Sequence, residues 1–299
     1  MNIRLVNPKY WPAWAVIGTL KIIVHLPIYV QFKIANILGD LIRLIGGRRV
    51  RIANQNLRLC FPDISDSEHT ALLIRVFRSF GMTIVETAYT WLRSTIDISQ
   101  RFDICGEELL DAAIDEGRGV LLVGAHFGVL DIAGAILADK YDYDCIYRKS
   151  KNPVVEFLSL KKRSKLYGNV IDRSDMRKTV RLLQQGRMIW YAADQDNGRK
   201  HSVFAPFFGI PAATLNITSR LAKINDSPVV FMSHFRDEKS RRWSINLRRI
   251  SAYPTSSDIK DAELLNKIIE GEIRKHPEQY LWLHRRFKTM PKGENRTYS

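Results

Sequence analysis

The sequence predicts an α/β protein with a mainly parallel central sheet, flanking helices and an apolar N-terminal anchor helix. Two patterns carry that expectation. From residue 101 onward short apolar runs alternate with amphipathic stretches, the pattern of parallel strands joined by crossover helices. Before that point the chain holds a 20-residue apolar run and a long helical pattern. At 299 residues, 45% hydrophobic and 26% charged, the chain has the composition of a folded protein. Two parts are expected: an anchor and basic flank over residues 1–45, and one domain over residues 46–299.

The anchor is "WPAWAVIGTLKIIVHLPIYV", residues 11–30, about the 20 residues a bilayer crossing takes. Lys21 and His25 are one helical turn apart and share a face. A lysine at mid-bilayer costs about 2.5–3.5 kcal/mol, and a helix lying in the interface avoids that cost. Trp11, Trp14 and Tyr29 suit headgroup depth in either arrangement. A buried core helix is the third reading, and no small-residue cleavage site follows to suggest a signal peptide. The next stretch, "RLIGGRRVRIANQNLRLCF", holds five arginines and no acid. Such a flank favours the cytoplasmic side of a membrane, although a solvated helix face would read the same way.

Ser65-Asp-Ser-Glu68 reads as a capping box opening a helix through "EHTALLIRVFRSFGMTIVETAYTWLR". Leu72, Val76, Phe80, Thr83 and Thr87 recur at helical spacing, which is core periodicity and carries no chemistry. Strands are expected at 119–125, 144–148, 169–173 and 188–193. Helices are expected at about 127–139, 153–166, 174–185 and 214–224. "PVVFMSHF" and "WSINLRRI" add strands, and a helix over about 258–275 precedes the basic tail "PEQYLWLHRRFKT".

In parallel sheets ligands gather at the carboxyl ends of strands. His126 follows one such end, Arg148 and Arg173 close two others, and Asp194-Gln195-Asp196 follows a fourth. His126 and Asp131 can meet across a strand-to-helix turn, where a carboxylate-held histidine serves as a general base. As a bare pattern the pair reads more readily as a satisfied core histidine at a turn than as a catalytic one. Other chemistries lack their signatures. There is no G-x-S-x-G elbow, Walker lysine, G-x-G-x-x-G or H-E-x-x-H, so no metal or cofactor is expected. Cys60, Cys105 and Cys145 are widely spaced, which fits a reducing compartment, and Cys145 reads as a buried structural thiol. The net charge of +15 points to an anionic partner: nucleic acid, a membrane face or an acidic carrier protein.

Taken together, "YWPAWAVIGTLKIIVHLPI", "NLRLCFPDIS", "SFGMTIVETAYTW", "GVLLVGAHFGVLDIAG", "YAADQDNGRKHSVFAPFFG" and "PEQYLWLHRRFKTMPKGE" resemble the late acyltransferases of bacterial lipid A synthesis, nearest the lauroyltransferase branch. The resemblance covers nearly the whole chain. It implies a glycerolipid-acyltransferase-like fold at the cytoplasmic face of the inner membrane. It also implies transfer of an acyl chain, lauroyl by the branch it is nearest, from acyl carrier protein to a hydroxyacyl chain of a Kdo-modified lipid A precursor. The family's histidine, four residues and an acid fall on His126 and Asp131, with aspartate where related members carry glutamate. Arg173, with Arg148 as second choice, is expected to contact phosphate or the oxyanion. Asp194, Gln195 and Asp196 are expected to position that arginine or the sugar headgroup, and Gly209 and Pro228 to be structural. The carrier thioester is a co-substrate and no cofactor is implied. The charge then suits the carrier, the lipid and the membrane, and nucleic acid leaves the apolar segment unexplained. A lysophospholipid acyltransferase and a basic membrane-binding protein without catalysis are the competing readings.

Overall fold

The strand Val120–Gly124 is buried at all five positions, so it must be covered on both faces. The computed structural model that places it describes residues 3–294 and residue 298. The outermost residues of the two expected parts, 1–2, 295–297 and 299, lie outside the described residues.

The N-terminal helices are α1 (Trp11–Ile23), α2 (Ile28–Ile45), α3 (Gly47–Cys60), α4 (Asp66–Leu92) and the short α5 (Ile96–Ser99). Then come β1 (Phe102–Cys105), α6 (Glu107–Asp115), β2 (Val120–Gly124), α7 (Leu130–Ala138), β3 (Tyr143–Tyr147) and α8 (Pro153–Leu166). They are followed by β4 (Val170–Asp172), α9 (Met176–Gln184), β5 (Met188–Ala192), β6 (Ser202–Phe207) and β7 (Ile210–Leu215). The chain closes with α10 (Ile217–Asn225), β8 (Val229–Asp237), β9 (Arg242–Arg249) and α11 (Asp258–Lys275).

Seven strands form one sheet in the order β1-β9-β8-β2-β5-β3-β4. Every neighbouring pair is parallel except β8 and β9, which form an antiparallel hairpin. The alternation of side chains along β2 divides the interior. Leu121 and Val123 join a core with Leu265, Ile269 and Ile273 of α11. Val120 and Leu122 join a core on the other face with Val85 of α4 and Ile132 of α7. The expected strands and helices from 119 to 275 lie within a few residues of these bounds. The short helices α5 and α6, the strand β1 and the separate hairpin β6–β7 have no counterpart in the expectation. That hairpin turns at Phe208 and Gly209, both with positive φ.

The apolar run at 11–30 is not one helix. The chain breaks at Val24–Pro27, because Pro27 cannot continue α1 and instead caps α2. Among the described residues no helix is long and apolar enough to cross a membrane, so the expected spanning helix is corrected to two shorter ones. Ile23, Val24, Phe32 and Ala35 enter the same core as α4 and β2. The boundary expected at residue 45 therefore does not separate two cores. The other side of this pair is open: Trp11, Ile22, Leu44 and Ile45 are all more than 60% exposed.

The α2–α4 contact is a backbone approach made possible by two glycines. A Cβ on Gly81 would lie 2.1 Å from the Ala35 carbonyl oxygen, and one on Gly39 would lie 2.3 Å from that of Phe77. Since backbone atoms cannot swing away as a side-chain tip can, Gly81→Ala is expected to cost about 1–3 kcal/mol through overpacking. Urea unfolding should show a lower midpoint at unchanged slope. A wild-type midpoint would mean the two helices separate freely.

Candidate active site

The site is made where β2 and β5 end. Their parallel register pairs Gly124 with Ala192, and the Ala193 N–H still reaches the Gly124 carbonyl at 3.1 Å. Two residues further along each strand, His126 and Asp194 therefore stand side by side. Asp194 Oδ1 lies 2.6 Å from His126 Nδ1, and its other oxygen accepts the His126 backbone N–H at 3.2 Å. Asp194 is 2% exposed, whereas the histidine side chain keeps 28% of its surface open. With Nδ1 committed to Asp194, Nε2 is the nitrogen left for chemistry.

The acid on the imidazole is thus Asp194. Asp131, which the spacing pairs with His126, sits in the first turn of α7 with both oxygens bonded elsewhere. Oδ1 accepts from Arg163 of α8 at 2.9 Å, and Oδ2 accepts the Thr87 hydroxyl of α4 at 3.1 Å. Asp131 and His126 nevertheless line one solvent-open cavity of about 510 Å³, with Phe80, Thr83, Leu130 and Leu283 among its walls. Gly128 allows α4 to come this close, since a Cβ there would lie 2.5 Å from Thr83 Oγ1.

The C-terminal tail forms another wall. The Gly128 N–H bonds to Gln279 O at 2.8 Å, and the Leu281 N–H bonds to His126 O at 3.0 Å. Asn56 of α3, fully buried, donates to the carbonyls of Trp282 and His284 at 2.7 and 2.8 Å. Asp196 is 1% exposed. Its carboxylate accepts from Gly198 N, Thr289 N and Thr289 Oγ1 at 2.8, 2.8 and 2.9 Å. It ties the loop after β5 to the tail.

Arg148 and Arg173 lie farther out. They follow β3 and β4, two and three strands from β2. A spacing of about 4.8 Å per strand puts the Arg173 backbone about 14 Å from that of His126. Both are exposed, and Arg173 donates to Asn197 Oδ1 at 3.3 Å. They stand on the rim with Gln195, which is half-buried. Gly209 takes the positive φ of the β6–β7 turn, and the Pro228 carbonyl accepts the Leu121 N–H ahead of β8. Thr87, Arg163, Asn56 and His284 were not singled out by the sequence. Thr87 carried only core periodicity, and the others belong to elements whose docking the linear chain does not reveal.

Burial pulls the His126 pKa down. The Asp194 charge and hydrogen bond, with a further contribution from Asp131, outweigh that and hold it above the ordinary histidine value of 6.5. His126 should therefore titrate above 6.5 when followed by its ring nuclei in NMR. Asp194→Asn should move the titration downward, because a neutral amide removes the charge that stabilises the imidazolium. An unmoved titration in folded Asp194→Asn would leave Asp194 without that role.

Residues 1–289 match the sequence profile of the bacterial lipid A biosynthesis acyltransferases. A lipid A biosynthesis palmitoleoyltransferase of Escherichia coli (strain K12) is 36% identical over 297 residues, covering 99% of this chain and 97% of its own. The lipid A biosynthesis lauroyltransferase of the same strain is 33% identical over 294 residues, covering 98% and 96%. A lipid A biosynthesis acyltransferase of Haemophilus influenzae (strain ATCC 51907 / DSM 11121 / KW20 / Rd) is 34% identical over 292 residues, covering 95% and 92%. By the extent of the profile match and the identity to these relatives, the chain belongs to the bacterial lipid A biosynthesis acyltransferase family.

Proposed function

We propose that the chain transfers a lauroyl group from acyl carrier protein to a hydroxyl of a hydroxyacyl chain on the Kdo-bearing lipid A precursor. The observation that carries this reading is the His126–Asp194 contact beside a largely apolar cavity, within a chain of this family. The neutral imidazole keeps its proton on Nδ1, against Asp194, and Nε2 removes the proton of the acceptor hydroxyl. The oxygen attacks the thioester carbonyl, the C–O bond forms, and the C–S bond breaks. The departing thiolate takes the proton back from the imidazolium. No acyl-enzyme is needed, in keeping with a buried Cys145 whose thiol pKa is raised to about 12, mainly by burial. Asp131, neutralised by Arg163, shapes the cavity floor beside the base.

The rim arginines Arg148 and Arg173 suit the phosphates and Kdo carboxylates of the acceptor better than the oxyanion at His126, given their distance along the sheet. Gln195 lies between the two positions. The exposed apolar residues Trp11, Leu44 and Ile45, next to Arg48 and Arg51, suit insertion into the cytoplasmic face of the inner membrane by a helix pair lying in the interface.

The purified protein, given the tetra-acylated Kdo-lipid and carrier charged with twelve-, fourteen- or sixteen-carbon chains, should add one ester-linked acyl group by mass. The twelve-carbon chain is expected to be used best. Each methylene is worth only about 0.8 kcal/mol of burial, so neighbouring lengths should leak through. His126→Ala should lower kcat by about 10²–10⁴-fold. Ready acylation of lysophosphatidate with none of the Kdo-lipid would replace the acceptor, and near-normal turnover by folded His126→Ala would remove the base.

For attachment, replacing Leu44 and Ile45 by serine should shift the protein from the membrane fraction toward release by high salt. The wild type should need detergent. Release of the wild type by salt alone would leave only electrostatic binding.

A further inference from the structure

His284 takes no part in the reaction derived above, yet it is held by the same loop as the base. Its Nε2 accepts the backbone N–H of Asp196 at 3.2 Å. Its own backbone is fixed by Leu281 O, at 3.2 Å from its N–H, and by Asn56 Nδ2, at 2.8 Å from its carbonyl. Two residues before that amide stands Asp194, bonded to His126. One short loop after β5 therefore carries two imidazoles, one on a carboxylate and one on a backbone N–H.

We propose that His284 is a positioning residue for the His126–Asp194 pair: as a neutral imidazole it fixes the loop that carries Asp194, and it stays uncharged near the ring that gains a proton in turnover. The proposal rests on His126 being the base. Accepting an N–H requires the Nε2 lone pair, so the one proton of the neutral ring is on Nδ1. A protonated His284 would lose that bond and would set a second cation against the His126 imidazolium. The surroundings oppose protonation. Burial comes first, and the charges of His126, Lys288 and Arg286 add to it against the opposing pull of Asp194, so that the pKa falls to about 4. The groups acting on His126 are Asp194 and Asp131, together with the two other histidines, His234 and His284, whose own pKa values it lowers.

A glutamine at 284 can offer an amide oxygen to the Asp196 N–H without titrating, whereas alanine cannot. His284→Ala should lower kcat by about 10²-fold, the scale of an ångström's misplacement of a catalytic group, with the acceptor KM little changed. Its acidic limb of kcat/KM should move to lower pH, because a loosened Asp194 no longer holds the His126 pKa up. His284→Gln should recover most of kcat and return the limb toward its wild-type position. Folded His284→Ala with wild-type kcat and limb overturns the proposal. So does His284→Gln as slow as His284→Ala with an unmoved limb, which would mark packing alone. Should the alanine variant not fold, the wild-type enzyme still decides. Ring nitrogen shifts of His284 should report the neutral Nδ1–H form throughout about pH 5 to pH 8, and titration of His284 inside that window overturns the proposal. That measurement does not depend on turnover, so failure of the His126 mechanism and failure of this assignment are told apart.

Discussion

The site depends on the parallel register between β2 and β5. Pairing Gly124 with Ala192 leaves each strand one alanine, Ala125 or Ala193, before its polar residue. The polar residues then fall level, and the 2.6 Å contact between His126 and Asp194 follows. A slip of one residue would turn one of the two side chains to the other face of the sheet. The register is protected by what surrounds it: β2 is central, buried on both faces and paired on both edges, and its side chains bind the sheet to both helical layers.

What closes over that strand end is held by a buried ion pair. Glu86 of α4 accepts two bonds from Arg236 Nη1 of β8, at 2.9 and 2.8 Å, and one from Trp243 Nε1 of β9 at 2.6 Å. Arg236 also donates to Ser79 Oγ at 2.8 Å, and its backbone exchanges two bonds with the Gln279 side chain. Glu86 and Arg236 are 2% and 0% exposed. Removing one partner of such a pair typically costs about 3–5 kcal/mol, because the other charge is left buried and alone. The pair joins α4, the β8–β9 hairpin and the tail, the parts that bring Ser79, Thr83 and Gln279 to Gly128. The cavity geometry is therefore set from outside the cavity.

Local sequence carried much of this. The capping box at Ser65 and Glu68 is present with both reciprocal bonds, and helices 153–166 and 258–275 fall on their expected bounds. Periodicity marked the strands because each is a short apolar run between turns, and it marked their polar ends too, Asp194 among them. Strand order was not legible. Asp131 is five residues from His126 and Asp194 is sixty-eight away, and only the neighbouring of β2 and β5 makes the distant acid the closer one. The apolar run at 11–30 misled for a related reason. Composition gives hydrophobicity, but Pro27 and the glycine contact between α2 and α4 decide that the run bends and that one side of it joins the core. The β6–β7 hairpin escaped because its residues alternate weakly and include Pro206 and Pro211.

Three imidazoles lie near this strand end, and their surroundings sort them. His234 is fully buried, no carboxylate is bonded to its ring, and burial drives its pKa down to about 3. His284 has one nitrogen on a backbone N–H and is likewise kept neutral. Only His126 has a carboxylate in contact with its ring, and only its pKa rises. The second acid nearby does not blur this division. Asp131 is matched by the Arg163 guanidinium at 2.9 Å, so the net field at His126 comes mainly from Asp194. A base must accept a proton and give it back within one turnover, which a single facing carboxylate allows and a pair of uncompensated ones would oppose by holding the imidazolium too firmly. In the proposed mechanism the arginine opposite Asp131 is thus part of what lets His126 release its proton again.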